Sequence, residues 1–230
     1  FLQRMHREYG AVFSFFLFEK GTLYETFDLS QMTDEYRSEW EENSDWLRLG
    51  FHARKEIPAY PYRNASFDEA QNEFLAVRDQ VFRFAGEKVW DLFMRSHYWS
   101  GSLESCWAWR DKGIAGFYGA THGREAYYLS PEANKYVDSC DLWRDNIEDI
   151  VFVQTDLWIE SDFLVPGAQA RTSQAVALEK LEDLLAKPYG SQNVQLFTHE
   201  SFLLPHVVVW EIPQRIEESI IWLTDHGYVP

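Results

Sequence analysis

Three of the chain's seven histidines stand where apolar runs stop. His52 ends the run from Trp46, His97 follows Val89–Met94 and Arg95, and His199 closes Leu196-Phe197-Thr198. Imidazole titrates near neutrality, so it can give or take a proton, and its neutral form binds divalent metal ions. A carboxylate beside it fixes the tautomer and raises its basicity. Asp156, Glu160 and Glu200 stand at comparable places. Arg95 offers a forked cation for a carboxylate or a developing oxyanion. Tyr60, Tyr98, Trp99 and Trp158 lie near these groups in the chain and can stack on sugar rings. A single histidine after a strand is more often an ordinary hydrogen-bonded loop residue. The joint placement is the signal, because only His6 and His226 fall on predicted helices.

Alternating helices and strands must position these groups. Leu2, Met5 and Tyr9 form a helical stripe closed by Gly10. Ala11–Phe18 reads as a strand buried on both faces, followed by a loop over 19–32. Thr33 is placed to cap a short acidic helix carrying Tyr36 and Trp40. The strand Trp46–His52 comes next, then a loop with Glu56, Pro58, Tyr60 and Tyr62. Ser66 and Glu69 make a capping box for a helix with Ala70, Phe74, Val77, Val81 and Phe84 on one face. Val89–Met94 is an apolar strand, Ser102 caps a helix carrying Leu103, Cys106 and Trp107, and Ile114–Tyr118 is a short strand. Ala126–Leu129 reads as an extra hairpin strand and Glu132–Val137 as a turn of helix. A strand over Ile150–Asp156 continues through Trp158 to Glu160. Ser173 leads a helix with Ala177, Leu181 and Leu184, and the strand ending at His199 follows. His206–Glu211 reads as a strand or an extended lid, and Pro213 opens a last helix with Ile216, Ile220 and Leu223, closed by Gly227.

This order implies an α/β fold with parallel strands and right-handed crossovers. If the sheet curls into a barrel, the polar strand ends converge on one rim. A doubly wound open sheet would want a glycine-rich phosphate turn, and the sequence has none. With no linker and no repeat, residues 1–230 read as one domain.

Composition narrows the partners. The 230 residues carry a formal net charge of −16, which argues against nucleic acid and anionic membrane surfaces. No apolar run reaches the ~18 residues of a spanning helix. Cys106 and Cys140 make neither a disulfide framework nor a cysteine-based zinc site, although one bridge between them is compatible with the sequence. Most of the ten tryptophans are expected in the core.

Four segments carry a resemblance: Tyr9-Gly10-Ala11-Val12-Phe13-Ser14-Phe15-Phe16, Gly50-Phe51-His52, Arg95-Ser96-His97-Tyr98 and Leu196-Phe197-Thr198-His199. In order and spacing the chain resembles the polysaccharide deacetylases, carbohydrate esterases built on a distorted, incomplete (β/α) barrel. The resemblance implies a TIM-barrel-like fold of about seven parallel strands. It also implies a divalent metal, usually zinc, held by one Asp and two His, with a second Asp as base and a late-strand His as acid. It makes His52 a metal ligand, His199 the acid and Arg95 the residue that orients the base. The paired aspartates belong on a first strand that would precede Phe1, so the chain reads as N-terminally truncated. The second metal histidine would fall at position 56, where Glu56 can ligate a hard cation.

The expected function is therefore metal-dependent hydrolysis of carbohydrate N-acyl bonds. His199, Arg95 and Asp156 are the expected catalytic groups, and His52 and Glu56 the metal ligands. Tyr60, His97, Tyr98, Trp99, Trp158 and Glu200 are expected to meet the substrate. The alternatives are a non-catalytic carbohydrate-binding relative and a glycoside hydrolase working through carboxylates such as Asp156 and Glu200.

Overall fold

The computed structural model describes residues 1–21, 27–119, 126–159, 179, 181–183, 185–186, 193–199 and 212–229. Glu160, Glu200, the start of the helix led by Ser173, and the segment His206–Glu211 lie outside the described residues.

Helix α1 (Leu2–Tyr9) ends at Gly10, whose φ of 76° is the left-handed turn that a Cβ disfavours. Strand β1 (Phe13–Lys20) pairs in parallel with β2 (Leu47–Lys55). The expected two-sided burial of β1 is not observed. Every one of its residues is half-buried, because β2 is its one ladder partner among the described residues. The stretch expected as loop contains a 3₁₀ turn, Leu29–Gln31, closed by reciprocal Asp28 and Gln31 capping bonds. Thr33 Oγ1 accepts from the Glu35 N–H, and helix α2 (Arg37–Glu42) begins later than expected, with Tyr36 at its N-cap. Helix α3 (Phe67–Phe84) starts where Ser66 accepts from the Glu69 N–H, and it buries Ala70, Phe74, Val77, Val81 and Phe84.

Beyond α3, only Phe93–Met94 of the expected strand is regular, as β3. Its lead-in still joins β2, through Leu49 N–H to Val89 O (2.8 Å) and Asp91 N–H to Leu49 O (2.9 Å). Helix α4 (Leu103–Asp111) is capped by Ser102, and β4 (Gly116–Tyr118) lies parallel to β3. Gly116 permits that contact, since a Cβ there would come within 2.4 Å of the Phe93 ring.

Residues 126–149 correct the sequence reading. Ala126–Leu129 forms a turn, not a strand. Pro131–Ser139 is a full helix, α5, capped by Ser130. The hairpin strand is β5 (Leu142–Asp145), antiparallel to β6 (Ile150–Val153). The sheet is therefore mixed, not wholly parallel. The expected continuous strand from Ile150 also divides: β6 pairs with β4, and after residues 154–156 the chain resumes as β7 (Leu157–Trp158), parallel to β8 (Leu196–Phe197). Residues 179, 181–183 and 185 are helical. Helix α6 (Ile212–Asp225) follows, with Pro213 in its first turn.

Among the described residues, two hydrophobic clusters larger than the small one at Trp99 and Ala126 hold this arrangement. The larger lies between α3, α4 and the strands, around Phe51, Phe74, Trp109, Phe117 and Phe152. The smaller joins Met5 of α1, Ala11, Leu157, Ile159, Leu181 and the α6 isoleucines, with Phe13 and Leu196 against it. It draws the first and last strands toward each other, and the Arg4–Glu217 fork (2.7 and 2.6 Å) clasps α1 to α6. Among the described residues the strands form three separate ladders, β1–β2, β3–β4–β6–β5 and β7–β8, and none joins β8 to β1. Cys106 and Cys140 are both free thiols. No described helix is long and apolar enough to cross a membrane.

Candidate functional site

The C-terminal ends of β1, β2, β3, β4, β7 and β8 gather most of the predicted groups on one rim. His52 gets there by an irregularity that the sequence reading lacked. β2 does not stop at His52 but continues to Lys55. In the β1–β2 register Leu17 faces Phe51 while Phe18 faces Ala53, so His52 is the extra residue of a bulge. A bulge re-aims its side chain, and bulges concentrate next to functional sites.

Two backbone carbonyls then fix two imidazoles. His52 Nδ1 lies 2.6 Å from Arg95 O, and His97 Nε2 lies 2.8 Å from Glu56 O. A carbonyl only accepts, so each of these nitrogens carries the proton. The remaining nitrogens, His52 Nε2 and His97 Nδ1, face each other at 3.1 Å. In the neutral rings both are lone pairs. The Phe18 ring stands edge-on to both imidazoles, at 4.8 and 4.9 Å.

Burial is the main force that pushes the His52 imidazole down to about 3, with repulsion from His97, Arg95 and His199 adding and the Arg95 carbonyl opposing. Burial likewise leads for His97, which falls to about 4, opposed by the Glu56 carbonyl and helped by His199. Both rings are thus neutral at pH 7. The consequence for stability has a definite sign. Above about pH 6.5 neither the folded nor the unfolded imidazoles are charged and nothing is lost. Below it the unfolded rings take protons that the folded ones refuse, so stability falls as pH drops toward 4. The slope is at most ~1.4 kcal/mol per pH unit for each ring. Thermal melts of chelator-treated protein between pH 8 and 4 should show this fall, and His97→Asn should flatten it. Equal slopes in wild type and variant would remove the histidine pair as its source.

Arg95 is buried at 3% exposure, with its guanidinium carbon 4.1 Å from the Phe197 ring centroid and 5.3 Å from that of Tyr118. Aromatic faces attract a cation, so this pair fixes the charge under the rim. His199 is exposed just beyond β8, its ring 5.0 Å from Phe197 and 6.0 Å from Trp158.

Beside the histidines lies an aromatic cleft. Tyr60 and Tyr98 are 47% and 44% exposed, with ring centroids 4.8 Å apart, and the Arg63 guanidinium sits 5.2 Å from the Tyr60 centroid. Tyr60, Tyr98, Trp99 and Tyr127 all have φ between 50° and 55°, and all four line this cleft. Left-handed backbone is unfavourable for aromatic residues and tends to persist where it serves a site. The loop is held by Ser96 Oγ–H to Ser100 O (2.7 Å) and Tyr127 N–H to Trp99 O (2.6 Å). Trp99, only 7% exposed, backs the cleft and packs against Trp158 and Phe197.

Some predicted residues are placed differently from expectation. Glu56 joins the histidine pair through its carbonyl oxygen. His97, expected to meet substrate, is the direct partner of His52. Among the described residues the Asp156 carboxylate meets the Gln195 N–H (2.8 Å), tying β7 to β8, rather than a histidine. No group of three His, Cys, Asp or Glu among the described residues is arranged to hold a metal ion. The two convergent imidazole lone pairs nevertheless suit a divalent cation, which takes neutral imidazole as a ligand. Phe18, Tyr118 and Phe197 went unremarked as site residues. All three lie at the ends of predicted strands, so the rule that found the histidines also points to them.

No protein-family model matches the chain, and no curated protein sequence matches it. Among solved structures the chain is similar to the Xyl-CE4 domain of a multidomain xylanase from the hindgut metagenome of Trinervitermes trinervoides. That match covers 99% of this chain and 77% of the other, with 13% sequence identity and a TM-score of 0.49.

Proposed function

We propose that this rim hydrolyses an N-acyl bond on a carbohydrate, in a single catalytic domain. The observation that carries the reading is the convergence of His52, His97, Arg95 and His199 beside an exposed aromatic cleft. Tyr60 and Tyr98 offer ring faces on which a sugar stacks, which would orient its N-acyl group toward the histidines. His52 would hold a divalent cation such as zinc, which when bound would supply Lewis acidity to the acyl carbonyl. Arg95, held against Phe197 and Tyr118, contributes positive charge toward the carbonyl oxygen on which negative charge develops. Water adds to the acyl carbon to form the new C–O bond and releases one proton to solvent, and His199 gives a proton to the departing nitrogen as the C–N bond breaks. Asp156, through Gln195, keeps β8 in register below His199. The test is acetate release from N-acetylated chito-oligosaccharides with zinc present. Release is expected, and its absence with soluble, folded protein overturns the hydrolase reading.

A second reading, sugar binding without catalysis, is favoured by one observation: the cleft aromatics are in place while no three-ligand metal group stands among the described residues. In that case binding survives chelator and no acetate appears. Both readings predict that Tyr98→Ala weakens oligosaccharide binding about 3–10-fold, the value of one aromatic contact. Calorimetric titration measures it, and unchanged affinity would take the sugar off this cleft.

A further inference from the structure

The geometry points to His97, rather than Glu56, as the second metal donor: His52 Nε2 and His97 Nδ1 form a two-nitrogen chelate for one divalent cation. It builds on the metal-dependent reading of the rim but is measured without substrate. The argument begins with the two carbonyls. Arg95 O takes the Nδ1 proton of His52 and Glu56 O takes the Nε2 proton of His97. Each ring is thereby locked in the tautomer that aims its lone pair at the other. A carbonyl on the far nitrogen is also the arrangement that orients metal-bound histidines and raises their basicity. Two lone pairs 3.1 Å apart repel unless something positive lies between them or beside them. A shared proton is one answer. A cation is the other. The 3.1 Å separation is about the span of two nitrogens that are each ~2.0–2.1 Å from one zinc ion.

Calorimetric titration of the full chain with Zn²⁺ is expected to give one site per chain. His52→Ala and His97→Ala should each weaken it more than the ~10–100-fold typical of outer partners. Glu56→Ala keeps the carbonyl and should stay near wild type. Circular dichroism establishes that each variant is folded. A measurement on the wild type covers the case in which a variant is not: on adding one equivalent of Zn²⁺, the ¹⁵N resonances of both His52 Nε2 and His97 Nδ1 should shift. Movement of one nitrogen alone, wild-type binding by His97→Ala, or no binding at all overturns the chelate. Zinc binding without acetate release leaves the chelate standing and removes the hydrolase reading. Acetate release without zinc binding does the reverse.

Discussion

His199→Ala lowers kcat for acetate release by about 10²–10⁴-fold, the usual contribution of a positioned general acid, while the protein stays folded. The side chain is exposed at the end of β8, and surface substitutions of this kind usually change stability by under ~0.5 kcal/mol. A lost proton donor slows leaving-group departure without removing the cleft that binds the sugar, so KM should change little. A structural role would behave differently, shifting the melting temperature and KM together. There is also a readout that needs no substrate. His199 is one of the charges that hold the His52 and His97 imidazoles low, so both should titrate at higher pH in the variant. Histidine resonances followed from pH 3 to 7 report this. Full turnover in the variant would remove His199 from the mechanism, and unmoved His52 and His97 titrations would place it away from the pair.

Much of the rim was readable because polar residues ending apolar runs are a strong signal in parallel α/β sheets. That signal points to His52, Arg95, His97 and His199, which the structure places near one another, and Ser66, Ser102, Gly10 and Gly227 mark helix ends as expected. The misreadings have physical causes. Ala11–Phe18 is apolar enough for a two-sided core strand, but burial depends on neighbours, and β1 has a ladder partner on one side only among the described residues. The bulge at His52 depends on the β1–β2 register, which periodicity within one strand does not reveal. Left-handed Tyr60 and Tyr98 defy local preference, so tertiary packing must impose their conformation. The His52–His97 contact joins residues 45 positions apart through two carbonyls, and carbonyl directions are set by the fold, not by side-chain type.

The same limit appears in α4, where the largest stability effect is expected. Spacing alone favours Leu103, Cys106 and Trp107 as the inward face, yet Trp107 is 41% exposed and Trp109 is fully buried. Trp109 packs against Phe51 at 5.8 Å, Tyr62 at 5.2 Å and Phe117 at 5.9 Å, joining α4 to β2 and β4. Trp109→Ala should therefore cost about 3–5 kcal/mol, from lost burial plus an unfilled cavity. For a domain of this size that corresponds to a fall of roughly 6–20 °C in melting temperature. The effect should reach the rim. Phe51 immediately precedes His52, and the Tyr62 hydroxyl accepts from the Arg54 N–H (3.0 Å) while donating to Glu73 (2.9 Å). When Phe51 and Tyr62 relax into the space, the bulge that aims His52 loses its support from below. Zinc affinity should then weaken under conditions where the variant is still folded. Trp109→Phe, which refills part of the volume, should recover part of both losses. Urea denaturation gives the first quantity and calorimetry the second. A variant with wild-type stability would mean that the core closes over the gap, and unchanged zinc affinity at reduced stability would uncouple the rim from the packing beneath it.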